Sequence, residues 1–185
     1  AGVFPLPVVS VALLKRLGLD DPQLLIVSKH SAGLRQTFVK DQSFRISRLT
    51  ATRDGEHRPY EAYAEEIRNT RMYLDALNVT HVDDAVTVLI LDPEDSLGAL
   101  EDAVAAGRRS LRAMRLGPTD LVAKIGIDKA TLQSSGDALP LYLLGLETPE
   151  FNLAPPTLTA GYSRHLASRA IYALTALAAL AGLAW

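Results

Sequence analysis

Apolar positions recur along this chain with two different periods. From Val8 to Leu17 they fall at Val8, Val11, Leu14 and Leu17, one face of a helix that Gly18 stops. Asp20–Pro22 then turns the chain. Leu24–Ser28 is a short apolar strand, Lys29–Gly33 a turn, and Leu34–Lys40 a second strand rich in β-branched and aromatic residues. Asp41-Gln42 turns again, less strongly than Asn-Gly would. Ser43–Thr50 alternates Phe44, Ile46 and Leu49 imperfectly with polar residues. Three short strands with tight connections predict an antiparallel meander.

A polar loop, Ala51–Pro59, follows. Tyr60–Leu77 reads as an amphipathic helix with Tyr63, Ile67, Thr70, Leu74 and Leu77 on one stripe. Ala85–Leu91 is β-rich without alternation, as in a strand buried on both faces. A helix opens after Asp92, capped by Asp95 or Ser96, lined by Leu97, Leu100 and Val104 and ended by Gly107. Asp120–Ile127 predicts another strand, and Asp137–Glu147 a short buried helix. A meander followed by alternating helices and strands predicts a mixed α/β domain.

The last stretch, Ala170–Trp185, carries no charge. It follows a Pro-rich segment (residues 147–162) and Arg164, His165 and Arg169. An apolar run behind a basic flank predicts the start of a transmembrane helix, although it falls a little short of the ~20 residues a bilayer core needs. Basic flanks stay inside, so Arg164 and Arg169 predict residues 1–165 on the cytoplasmic side. The start of the chain has no basic n-region of a signal peptide. Both ends read as cuts, so a piece of a longer protein is expected.

Composition removes several functions. At 185 residues and 48% hydrophobic content, the chain has enough material for one substantial core. A net charge of -2 argues against a nucleic-acid partner. Zero Cys excludes disulfides, zinc–thiolate sites and thiol nucleophiles.

The candidate chemistry is sparse. His30, His57, His81 and His165 show no i, i+4 pairing and read as loop residues rather than zinc ligands. Asp83, Asp84, Asp92, Glu94 and Asp95 cluster around one strand; a cation would use such oxygens, but negative charge at a helix start accounts for the later three. Arg108, Arg112 and Arg115 would share a helix face with Arg109 beside them, a solvated stripe or a contact for anionic lipid. The turn containing Ser28, Lys29, His30, Ser31 and Gly33 has the composition of a phosphate cradle. It also contains the residue types of a nucleophile–base pair. Adjacent hairpin residues rarely point together, however, and no carboxylate is evident to orient them.

Residues 24–50 ("LLIVSKHSAGLRQTFVKDQSFRISRLT") resemble the three-strand opening of an actin-like ATPase subdomain, and more narrowly the actin-like proteins of type IV pilus and type II secretion inner-membrane platforms. The helix "AEEIRNTRMYLDAL" (Ala64–Leu77) and the strand and helix after it are similar to that family's next elements. "FNLAPP" (Phe151–Pro156) resembles the "I-N-L-L-P" peptide by which the platform's small membrane partner docks on the actin-like protein. The resemblance implies an incomplete actin-like α/β domain over residues 1–148, a linker with a docking peptide over 149–166 and the start of a transmembrane helix over 167–185. Phe151 and Leu153 would be its apolar anchors, Asn152 a backbone hydrogen-bonding group, and Pro155 and Pro156 its stiffeners.

The family's phosphate turn, "D-I-G-x-x-x-T", is degenerate here. Val27 or Ser28 stands where the Asp would be, and of the glycines only Gly33 remains. Without that carboxylate a magnesium-bound nucleotide loses its anchor. The implied function is therefore a non-enzymatic inner-membrane scaffold without a cofactor, docking other platform proteins or a second copy of itself and touching lipid through its tail. The alternatives are an actin-like ATPase or kinase using ATP and magnesium, and a membrane-tethered ligand sensor, which would show an apolar pocket with a few convergent polar groups.

Overall fold

The computed structural model describes residues 2–52, 59–107, 110–147, 149 and 151–183, without the side chains of 159, 162, 163, 166 and 176–183. His57 with most of the loop around it, Arg108, Arg109 and Trp185 lie outside the described residues. The chain divides into two units, Leu6–Thr148 and Ala1–Pro5 with Pro149–Trp185.

In the larger unit, helix α1 (Leu6–Leu17) precedes the strands β1 (Gln23–His30), β2 (Gly33–Lys40) and β3 (Ser43–Ala51). Helix α2 (Tyr60–Ala76), β4 (Val86–Leu91), α3 (Gly98–Ala105) and β5 (Leu111–Leu116) follow, then α4 (Pro118–Ile125), α5 (Lys129–Gln133) and α6 (Ala138–Leu146). The strands form a five-stranded sheet in the order β3-β2-β1-β4-β5. β2 is antiparallel to β1 and β3, while β1, β4 and β5 run parallel. This is a mixed α/β domain, a meander followed by alternation, as expected.

The meander has local causes. Asp41 and Gln42 both sit in the left-handed region (φ 51° and 58°), the two-residue turn whose twist matches that of the strands. At the other hairpin Gly33 has φ 128°, and a Cβ there would lie 2.3 Å from the Thr50 carbonyl oxygen; only glycine fits. The imperfect alternation of β3 is a bulge. Val39 pairs with Phe44 and Phe38 with Ile46, so Arg45 is the extra residue and Phe44 and Ile46 take opposite faces.

Both faces of the sheet are covered. Leu25, Val27, Leu34, Phe38, Val88 and Ile90 meet Tyr63, Ile67 and Leu74 of α2 and Leu100 and Val104 of α3. The alternate residues Leu24, Ile26, Val39 and Leu89 are equally buried on the side of α1. Each fully buried Leu, Ile or Phe contributes roughly 1.5–3 kcal/mol. The fully apolar Leu24–Val27 run is thus a central strand with neighbours on both faces.

Three expectations fail. Asp120–Ile127 is not a strand: α4 occupies it, with Pro118 in its first turn, Asp120 accepting from the Gly117 amide at 3.2 Å and Gly126 in the left-handed region as its stop. Leu121 and Ile125, four apart, bury its inner face. Arg112 and Arg115 lie not on a helix but on β5, where residues three apart face opposite ways, so the basic stripe does not form. Helix α7 (Pro156–Leu183), in the smaller unit, is a helix as expected, but among the described residues no helix is long and apolar enough to cross a membrane. The expected transmembrane segment is therefore not supported. Arg164, His165 and Arg169 lie within this helix, so its first half is not apolar.

Candidate functional site

β1 extends two residues past its expected end at Ser28, through Lys29 to His30. Ser28 and His30, two apart on one strand, therefore point to the same face, that of Leu24 and Ile26. The Ser28 hydroxyl lies 2.7 Å from His30 Nε2. On its other side His30 Nδ1 lies 2.8 Å from Asp137 Oδ1, and the Ser31 hydroxyl donates to Asp137 Oδ2 at 2.6 Å. Asp137 immediately precedes α6 and is 107 positions from His30 in sequence. The expectation that the turn's residues would not point together, and that no carboxylate would orient them, is thus corrected. So is the reading of His30 as a loop residue, since its side chain is only 8% exposed.

The protonation states follow from the surroundings. The hydrogen bond from Ser31, aided by the one from His30, holds the Asp137 carboxyl below its ordinary range against the desolvation that opposes it. It is ionised and accepts the Nδ1 proton. Burial pushes the His30 imidazole below the usual histidine value, and Asp137 only partly offsets this. A neutral ring donating from Nδ1 accepts at Nε2, so Ser28 donates its hydroxyl proton toward His30.

The turn is closed from the α6 side. A Cβ on Gly136 would lie 2.8 Å from the Lys29 carbonyl oxygen and 3.4 Å from His30 Cα, so the backbone before α6 rests on the turn. Lys29 pairs with Glu94 at 3.8 Å. Beneath Ser28 and His30 lies an apolar pocket lined by Leu6, Val9 and Leu13 of α1, Leu91, and Leu139 and Leu143 of α6.

The acidic cluster is dispersed into structural contacts. Asp92, 1% exposed, accepts from the Ser96 and Leu97 amides at 2.8 Å each and from Arg115 Nε at 2.8 Å. The cap expected of Asp95 or Ser96 is not made: α3 has no side-chain cap, and Asp92 holds the loop just before it. Asp95 is the second partner of Arg115, and these hydrogen bonds, that to Asp92 foremost, raise the guanidinium's pKa. Asp84 accepts from the His81 amide and Gln23. Among the described residues no group of three or more His, Cys, Asp or Glu is placed to hold a metal ion.

In the smaller unit residues 151–155 form no regular element, and Asn152 and Leu153 hydrogen-bond to Val3 near the chain's start. The Leu153 amide donates to the Val3 carbonyl at 2.8 Å, and Asn152 Oδ1 accepts from the Val3 amide at 2.9 Å. Asn152 Oδ1 also accepts from Ala154 at 2.9 Å. Phe151 and Leu153 are 58% and 54% exposed, Pro155 and Pro156 are exposed, and Pro156 opens α7. Arg164 and Arg169 are exposed along that helix.

Sequence reasoning missed Asp137, which carried no signal beyond being a helix-opening Asp. The spacing Ser-x-His at the end of an apolar strand was a usable signal, hidden by ending the strand at Ser28. No family model matches the chain, and no curated protein matches it. Among solved structures, a chain of a "PilM-PilN type IV pilus biogenesis complex" is similar, with a TM-score of 0.40 and 12% identity over 76% of this chain and 50% of that one. The present chain thus spans about half the length of that solved chain.

Proposed function

We propose that this chain is a protein-docking scaffold of a type IV pilus-like or type II secretion-like platform at the cytoplasmic face of an inner membrane, and that it does not turn over nucleotide. The observation that carries the proposal is the state of the docking peptide. Phe151 and Leu153 are more than half exposed on a segment whose backbone is already held by Asn152 and Val3. Two apolar side chains presented from a hydrogen-bonded, proline-stiffened segment lose little conformational entropy on entering a groove. Burying each contributes roughly 1.5–3 kcal/mol. The occupied groove belongs to another platform protein or to a second copy of this chain.

The state of the degenerate phosphate turn supports the second half of the proposal. Gly136 rests where a phosphate would approach Lys29 and His30. Asp137 places a negative charge there, which repels an anion rather than binding it. Asp92, whose oxygens would otherwise be candidates for magnesium, is fully engaged by Arg115 and two amides. No cofactor is required by this reading.

Two experiments test it. Sedimentation velocity on the full chain over rising concentration detects self-docking, and Phe151→Ala with Leu153→Ala weakens that association by roughly tenfold or more. Association unchanged by the double substitution rejects the docking role. Calorimetric titration with magnesium-ATP gives no binding heat; micromolar binding with turnover rejects the rest.

A further inference from the structure

The Ser28–His30–Asp137 chain does more than latch a turn, and this inference goes beyond the docking role. We propose that Ser28 is an activated nucleophile, with His30 as its base and Asp137 as the residue that positions His30, and that it accepts acyl groups from esters of small apolar acids. A serine nucleophile needs a base within about 2.6–3.2 Å and a third group orienting that base. Ser28 Oγ to His30 Nε2 is 2.7 Å and His30 Nδ1 to Asp137 Oδ1 is 2.8 Å. The two ring nitrogens are used in the order the chemistry requires, with the carboxylate on Nδ1 and the hydroxyl on Nε2. Ser31, donating to Asp137 Oδ2, fixes the carboxylate in turn.

The surroundings supply the other requirements. His30 is largely buried and neutral at pH 7, so it has a lone pair with which to take a proton. Ser28 and His30 line the pocket formed with Val9, Leu13, Leu139 and Leu143. Lys29, paired with Glu94, is the one charged residue of the lining, and the apolar remainder suits a short alkyl acyl group. In the step, Ser28 Oγ attacks the ester carbonyl carbon and its proton moves to His30 Nε2. The carbonyl-to-alkoxy bond then breaks, and the leaving alcohol departs with the proton from His30. Water, deprotonated by His30 in the same way, hydrolyses the serine ester to the carboxylic acid and restores Ser28.

The test uses the full chain and two probes. A fluorophosphonate reacts covalently with activated serines, releasing fluoride, and peptide mapping by mass spectrometry locates the adduct. p-Nitrophenyl butyrate reports acyl transfer by nitrophenolate release. The expected result is an adduct on Ser28, not on Ser31, with nitrophenolate release above a denatured control. His30→Gln abolishes both signals, and Asp137→Asn slows labelling at least tenfold. The labelling rate rises with pH to a plateau, with its midpoint below the ordinary histidine value of about 6.5; Asp137→Asn moves that midpoint, which a merely structural role would not. Because the adduct is mapped on the unaltered chain, the result stands even if Ser28→Ala fails to fold. Absence of an adduct on Ser28, or equal labelling in folded His30→Gln, overturns the proposal. Neither outcome bears on docking through Phe151 and Leu153.

Discussion

Replacing Asp137 by Ala tests whether α6 is latched to the end of β1 through one carboxylate. The substitution removes two hydrogen bonds. The one from Ser31 is largely in water and costs little, because the freed hydroxyl finds a solvent partner. The one from His30 Nδ1 matters more. That ring is 8% exposed, and an unpaired donor in such a site costs about 1–3 kcal/mol. The total is about 1–3 kcal/mol, which for a domain of this size lowers Tm by roughly 2–12 °C. Differential scanning calorimetry of both proteins at neutral pH measures it. Asp137→Asn, which keeps an oxygen for Nδ1, recovers part of the loss. A Tm unchanged by Asp137→Ala refutes the latch and the orientation of His30 with it.

Three further outcomes follow from the same contacts. Gly136→Ala forces a methyl group within 2.8 Å of the Lys29 carbonyl oxygen and costs about 1–3 kcal/mol by overpacking, read from the denaturation midpoint. Asp92→Ala leaves the Ser96 and Leu97 amides and one face of Arg115 unpaired; it costs about 2–4 kcal/mol, and urea unfolding measures it. Stability falls on acidification in two steps. His30 binds its proton less readily folded than unfolded, so its contribution is full above pH ~6.5 and is lost as pH falls from there toward the folded value. Asp137, whose folded pKa is also depressed, is fully stabilising above pH ~4 and loses its share below it. Denaturation midpoints measured from pH 8 to pH 3, with the upper step missing in His30→Gln, check both.

The sequence disclosed the meander and the two helices that cover its inner face because each carried its own local signal. Leu24–Val27 is uniformly apolar, and Tyr63, Ile67 and Leu74 keep a helical stripe, so their burial followed from spacing. β5 was hidden because Arg115 is partnered by tertiary contacts: it leaves the strand to reach Asp92 and Asp95, which local periodicity does not record. α4 was misread through its apolar alternation, although Pro118 and Gly126 bracket it as a helix start and stop. The site was legible only in part. Ser28, Lys29, His30, Ser31 and Gly33 were recognisable as a chemically dense turn, but the strand's two extra residues decide which of them face together. Asp137 arrives from more than a hundred residues away, and no spacing rule reaches that far. The terminal apolar run and its flanking arginines suggested a membrane span, but among the described residues no helix is long and apolar enough for one.

The docking role turns on Phe151 and Leu153 as anchors on a segment held by Val3 and Asn152. Sedimentation velocity of the full chain, unaltered and with both residues changed to Ala, addresses it most directly. The account predicts association that strengthens with concentration in the unaltered chain and is weakened by roughly tenfold or more in the variant. Equal association of the two folded proteins would contradict it.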